Sequence, residues 1–89
     1  MSRPWDADPS AEFTRRLGED PMELGVTTTT PDCPALWELS NGDIAVIGRD
    51  LTTAYHGRLP DGVSVGADER LVILPGVVLR SAKPDIGEA

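Results

Sequence analysis

An Asn41-Gly42 pair set between two apolar runs is the feature that most narrows what this chain can fold into. Residues 35–49 read as two strands joined there. Asn and Gly best tolerate the positive φ that a two-residue type I′ loop needs at both central positions. Such a loop sets Ser40 opposite Asp43, Leu39 opposite Ile44, Trp37 opposite Val46 and Leu36 opposite Ile47. Side chains alternate along a strand, so Trp37, Leu39, Ile44 and Val46 are expected on one fully apolar face that looks inward. Leu36, Glu38, Ala45 and Ile47 fall on the other, mixed face. A lone two-stranded ribbon is marginal in water, so further apolar segments must cover it.

Those segments follow the hairpin. Residues 49–60 read as a short helix, capped by Asp50 or Thr52, with Leu51, Tyr55 and Leu59 recurring every four positions and Pro60 as the stop. Residues 60–68 form a loop around Asp61-Gly62. The four consecutive apolar residues in 69–74 predict a third strand covered on both faces. Residues 75–83 admit a second hairpin or a helix. The helix is the favoured reading, starting at Pro75, presenting Val78, Leu79 and Ala82, and halted by Pro84.

The first third of the chain differs. Five of the eight prolines fall at positions 4, 9, 21, 31 and 34, and acids outnumber bases there. Such a segment buries too little to offset its conformational entropy. Within it, residues 9–17 predict a short helix capped by Asp8, with Phe13 and Leu17 on one face and Gly18 at its end. Under three turns long, it must dock to survive. The run 26–31, rich in threonine, is extended by preference and reads as an edge strand or a linker. The expected architecture is α+β: a small three-stranded, mostly antiparallel sheet with short covering helices and a mobile N-terminal arm. Residues 1–30 form the flexible acidic arm and 31–89 the small α+β domain.

Charge narrows the function. A net charge of −7 argues against direct binding of nucleic acid or anionic membrane, both of which rely on clustered Lys and Arg. It fits a solvated surface or a basic partner. A single cysteine, Cys33, calls for no oxidising compartment, and neither a secretion signal nor a membrane span is read in the chain, so a cytoplasmic location is expected. Cys33 and His56 are the only thiol and the only imidazole, and no orienting partner or oxyanion loop accompanies them. Neither zinc spacing, a calcium loop nor a phosphate-cradling glycine loop is present. No catalytic residue, metal or cofactor is therefore expected. Recognition-type residues are the remaining signal: Trp5, Phe13 and Leu17 in the arm, and Arg49, Tyr55 and Arg58 after the hairpin.

From Cys33 to Ile86 the chain resembles a family of short, uncharacterised actinobacterial proteins. The residues that carry this are Leu36-Trp37-Glu38, the run 42–48, Asp50-Leu51-Thr52, Leu59-Pro60, the run 68–72 and the run 82–86. Such proteins are small and acidic and are often encoded beside helix-turn-helix regulators. The resemblance implies a regulatory partner protein and brings no catalytic residue with it. The expected function is thus a non-enzymatic adaptor or regulatory protein that binds another protein, by docking Phe13 and Leu17 or by strand addition along the hairpin, with self-association as a further option. Two rivals stand beside it: an acidic DNA-mimic antagonist of a nucleic-acid-binding protein, and a small thiol-dependent enzyme or carrier using Cys33.

Overall fold

The computed structural model describes residues 4–27 and 34–86. A three-stranded antiparallel sheet in the order β1-β2-β3 is formed by β1 (Phe13–Leu17), β2 (Ala35–Leu39) and β3 (Ile44–Ile47). A second, two-stranded sheet pairs β4 (Arg49–Asp50) with β5 (Val72–Ile73), and one helix, α1 (Gly76–Ile86), follows. The coarse α+β architecture thus stands. Cys33 and most of the threonine tract lie outside the described residues.

The hairpin forms where Asn41-Gly42 places it, but its register is one residue away from the expected one. Ala35 pairs with Ile47, Leu36 with Val46, Trp37 with Ala45 and Glu38 with Ile44. The loop has three residues: Gly42 N–H donates to Leu39 O at 3.0 Å, and Leu39 N–H to Asp43 O at 2.9 Å. Only Gly42 has a positive φ, +89°, while Asn41 keeps φ negative. This is a type I turn closed by a glycine bulge, so Asn41 never enters the left-handed region that a type I′ loop would impose. A one-residue offset exchanges the two faces of a strand. Trp37 therefore does not look into the core; Leu36 does.

The third strand of this sheet is also not the expected one. Residues 9–17 do not form a helix. Residues 13–17 are β1, which pairs with β2 through Arg16 opposite Trp37 and Leu17 opposite Leu36. Pairing satisfies the backbone groups along that side of β2, which a docked helix would leave open. A bulge at Thr14 interrupts the register between Phe13 and Arg15, and Thr14 Oγ1 donates to Glu38 O at 2.8 Å. Phe13 and Leu17, four apart, would share a face of either a helix or a regular strand; the bulge sends them to opposite faces. Phe13 is 57% exposed, whereas Leu17 is 3% exposed and belongs to the core. The expected docking of Leu17 into a partner is thereby overturned.

The core consists of Leu17, Leu36, Val78 and Ala82, with Leu24, Val26 and Leu74 packed against it. Val78 and Ala82 lie one turn apart on α1 and cover the Leu17–Leu36 face. Gly18, φ +86°, lets β1 end against this helix, since a Cβ there would lie 2.5 Å from Ser81 Oγ and 3.0 Å from Ala82 N. α1 begins just after Pro75 as expected, but Pro84 does not halt it; the helix runs on to Ile86. Proline removes one intrahelical bond, and tertiary bonds hold the last turn instead. Asp85 Oδ2 accepts from Gly18 N–H at 2.7 Å, Asp85 O accepts from Arg15 Nη2 at 3.3 Å, and Arg15 Nε reaches Glu38 Oε1 at 3.0 Å.

Two further expectations are corrected. The strand predicted over 69–74 shrinks to Val72–Ile73 and joins β4 outside the main sheet. Residues 51–58 form successive turns, closed by Tyr55 N–H to Leu51 O, His56 N–H to Thr53 O and Arg58 N–H to Tyr55 O, rather than a helix. Gly57 disfavours helix there, and Thr52 is drawn away from it because its Oγ1 accepts from Leu71 N–H at 2.8 Å. Helical cover of the sheet therefore comes from α1 alone among the described residues.

Candidate binding surface

With α1 on the Leu36 face, the opposite face of the sheet holds Phe13, Arg16, Trp37, Leu39 and Ala45. The core cluster does not include these residues: Phe13 is exposed, Arg16, Trp37, Leu39 and Ala45 are half-buried, and Ala35 at the start of β2 is buried. Phe13 and Trp37 meet edge to face, with ring centroids 5.6 Å apart and planes inclined by 64°. The Arg16 guanidinium lies over the Trp37 ring, its Cζ 4.8 Å from the centroid. Offset aromatic pairs and guanidinium stacking each add about 0.5–1.5 kcal/mol beyond burial, so the three side chains hold one another in place. Arg16 Nη1 is buried and has no hydrogen-bond partner among the described residues, although a buried guanidinium N–H ordinarily finds an acceptor.

Trp5 is held at the turn. Its Nε1–H donates to Asp43 Oδ2 at 3.2 Å, and Asp43 also accepts from Asn41 Nδ2 at 3.2 Å. Trp5 is 60% exposed. Phe13 and Trp37 thus share one face, while Trp5 is tied to the turn at Asp43 and also borders Val65 and residues 68–71. Trp and Arg are residue types enriched at the anchor positions of protein interfaces.

The other residues singled out from the sequence lie elsewhere. Tyr55 and Arg58 form a separate pair on the 51–58 turns, with Arg58 Cζ 4.4 Å from the Tyr55 ring centroid and Arg58 Nη2 donating to Ala54 O at 3.4 Å. Arg49 is exposed on β4 and is, among the described residues, the one charged side chain lining an open cleft of about 630 Å³, whose walls include Ile47, Leu51, Ile73 and Pro75. His56 is exposed, and no group of three metal-ligating side chains occurs among the described residues.

Several acids serve the turns. Asp8 Oδ1 accepts from Ser10 Oγ and Ser10 N–H, at 2.6 and 2.9 Å, and the hydroxyl bond followed by the backbone bond holds the Asp8 carboxyl below its usual range. Asp50 does the same with Thr52, at 2.7 Å to Oγ1 and 3.0 Å to the backbone N–H, and its carboxyl is lowered for the same reason. Asp20 accepts from Met22 N–H, and Glu69 from Gly66 N–H.

Trp37 and Arg16 are the members of the patch that sequence reasoning did not single out for binding. Both depend on the strand register, which assigned Trp37 to the core. The Thr14 bulge leaves no signal beyond a β-branched residue between Phe13 and Arg15. Comparison with family models, curated proteins and solved structures finds no match for this chain. No helix among the described residues is long and apolar enough to cross a membrane.

Proposed function

We propose that this chain is a small, non-enzymatic adaptor or regulatory protein of the cytoplasm that binds another protein through the uncovered sheet face. The Arg16–Trp37–Phe13 stack is the observation that carries the reading. Phe13 is exposed while Trp37 and Arg16 are half-buried and stacked on it and on each other, so a partner covering the stack orders little further side-chain freedom. Trp5 adds an exposed aromatic ring at the turn, and the Arg16 guanidinium, stacked on Trp37, is a donor for a carbonyl or carboxylate of the partner. The regulatory part of the reading rests on the resemblance of residues 33–86 to short actinobacterial proteins often encoded beside helix-turn-helix regulators. The acidic-antagonist alternative has no comparable support, because Asp8, Asp20, Asp50 and Glu69 each serve a different turn.

Deleting the first 30 residues is not a clean test, because it would take Leu17 out of the core. The test is capture from the host extract on the immobilised full chain, with Phe13→Ser plus Arg16→Ala as one comparison and Arg58→Ala as the other. One protein held by the wild type and by Arg58→Ala, and lost by the double variant, is the expected result. A protein held equally by all three overturns the assignment to this face, and capture of nothing overturns the binding role.

A further inference from the structure

A different part of the molecule, the outer edge of β3, carries an inference that does not depend on the aromatic face. β3 ends the main sheet. Since Leu39 N–H bonds to Asp43 O, the alternation of an antiparallel ladder turns the backbone groups of Asp43, Ala45 and Ile47 toward β2. The N–H and C=O groups of Ile44 and Val46 point outward, and no described residue hydrogen-bonds to them. The side chains on this edge are apolar and open to solvent: Ile44 is 46%, Val46 45% and Ile47 48% exposed.

Edge strands are ordinarily shielded by charge, proline or a bulge. At the opposite edge β1 has such devices: the Thr14 bulge, Arg15 and Arg16. β3, with the sequence Ile-Ala-Val-Ile, has none. The strand is instead flanked by one charge of each sign, Asp43 before it and Arg49 after Gly48. An antiparallel pairing of two copies centred on Val46 brings Asp43 of each copy opposite Arg49 of the other. It also sets Ala45 opposite Ile47, and sets Ile44 opposite Gly48, where the Ile73 carbonyl stands in the place of a side chain. A net charge of −7 on each copy opposes unspecific association, so the two opposite-sign pairs select this register.

We propose that β3 is a self-association edge: two copies join antiparallel about a two-fold axis through Val46, making one continuous sheet from the three strands of each. The few residues in the core of each copy leave the monomer thin, and the pairing covers Ile44, Val46 and Ile47.

Sedimentation equilibrium of the full chain over a wide concentration range tests this. The wild type is expected to pass reversibly from monomer to dimer; a monomer at every concentration overturns the proposal. Val46→Pro removes an outward N–H without touching the β2 ladder, and it is expected to stay monomeric with an unchanged circular dichroism spectrum. Arg49→Glu, on an exposed side chain, tests the register even if the proline variant fails to fold. It is expected to weaken the dimer by about tenfold, and adding Asp43→Arg to it is expected to restore the wild-type constant. A dimer that Arg49→Glu leaves unchanged overturns the pairing. The reading of the aromatic face stands or falls separately, because Phe13→Ser with Arg16→Ala is expected to leave this equilibrium unchanged.

Discussion

Both faces of the main sheet carry large apolar side chains, yet α1 covers only one of them, and there only over β1 and β2. On the closed face Leu17 and Leu36 are almost wholly buried beneath Val78 and Ala82. On the open face Phe13 and Trp37 form an equally specific contact and remain in reach of solvent. Neighbouring residues of β2, Leu36 and Trp37, thus have different tasks. Hydrophobicity does not separate them, because tryptophan could fill a core as well as leucine. The three-residue turn at 40–42 separates them by setting which residue meets Val46. The closed face supplies stability, and the open face supplies a surface.

The largest expected effect that can break this comparison is on the closed face. Leu36→Ala is expected to lower unfolding stability by about 2–5 kcal/mol through lost burial and a residual cavity, read by urea denaturation. A loss below that of Trp37→Ala would mean the faces are assigned the wrong way round. Trp37→Ala is expected to cost about 1–3 kcal/mol, from the stacking on Phe13 and Arg16 and partial burial, while abolishing partner capture. Gly42→Ala is next, at about 1–2 kcal/mol, because a side chain is forced into the left-handed region. Asn41→Ala should cost less than Gly42→Ala; equal costs would indicate the type I′ loop and its other register.

The smallest effect concerns pH. The Asp50 carboxyl is lowered by its bonds from Thr52. A carboxyl with a lowered folded-state pKa adds stability that is fully present above its unfolded value, near 3.8, and is lost as pH falls through the folded value. Acidification below that value is therefore expected to loosen the Asp50–Thr52 turn, seen as faster amide exchange at Thr52. In Asp50→Asn the pH dependence at that amide should vanish.

The position of the hairpin could be read from Asn41-Gly42, and that of α1 from Pro75 and the spacing of Val78 and Ala82. Register could not, because Asn-Gly suits both a two-residue loop and a type I turn ending in a bulged glycine. β1 was hidden for a related reason: residues four apart share a face in helix and strand alike, so Phe13 and Leu17 favour neither. The passage of α1 beyond Pro84 rests on Arg15 and Gly18, nearly seventy residues away in sequence, and no local pattern encodes it. For the candidate surface, Trp5 and Phe13 stood out as aromatic residues in a polar segment. Arg16 and Trp37 join them only once the register is known.

The most direct measurement is a set of nuclear Overhauser contacts in the full chain with assigned methyl and indole protons. The account predicts contacts from the Leu36 methyls to those of Val78 and Ala82, and from the Trp37 indole to Phe13 and the Arg16 side chain. Contacts from the Trp37 indole to Val78 or Ala82, with none from Leu36, would contradict it.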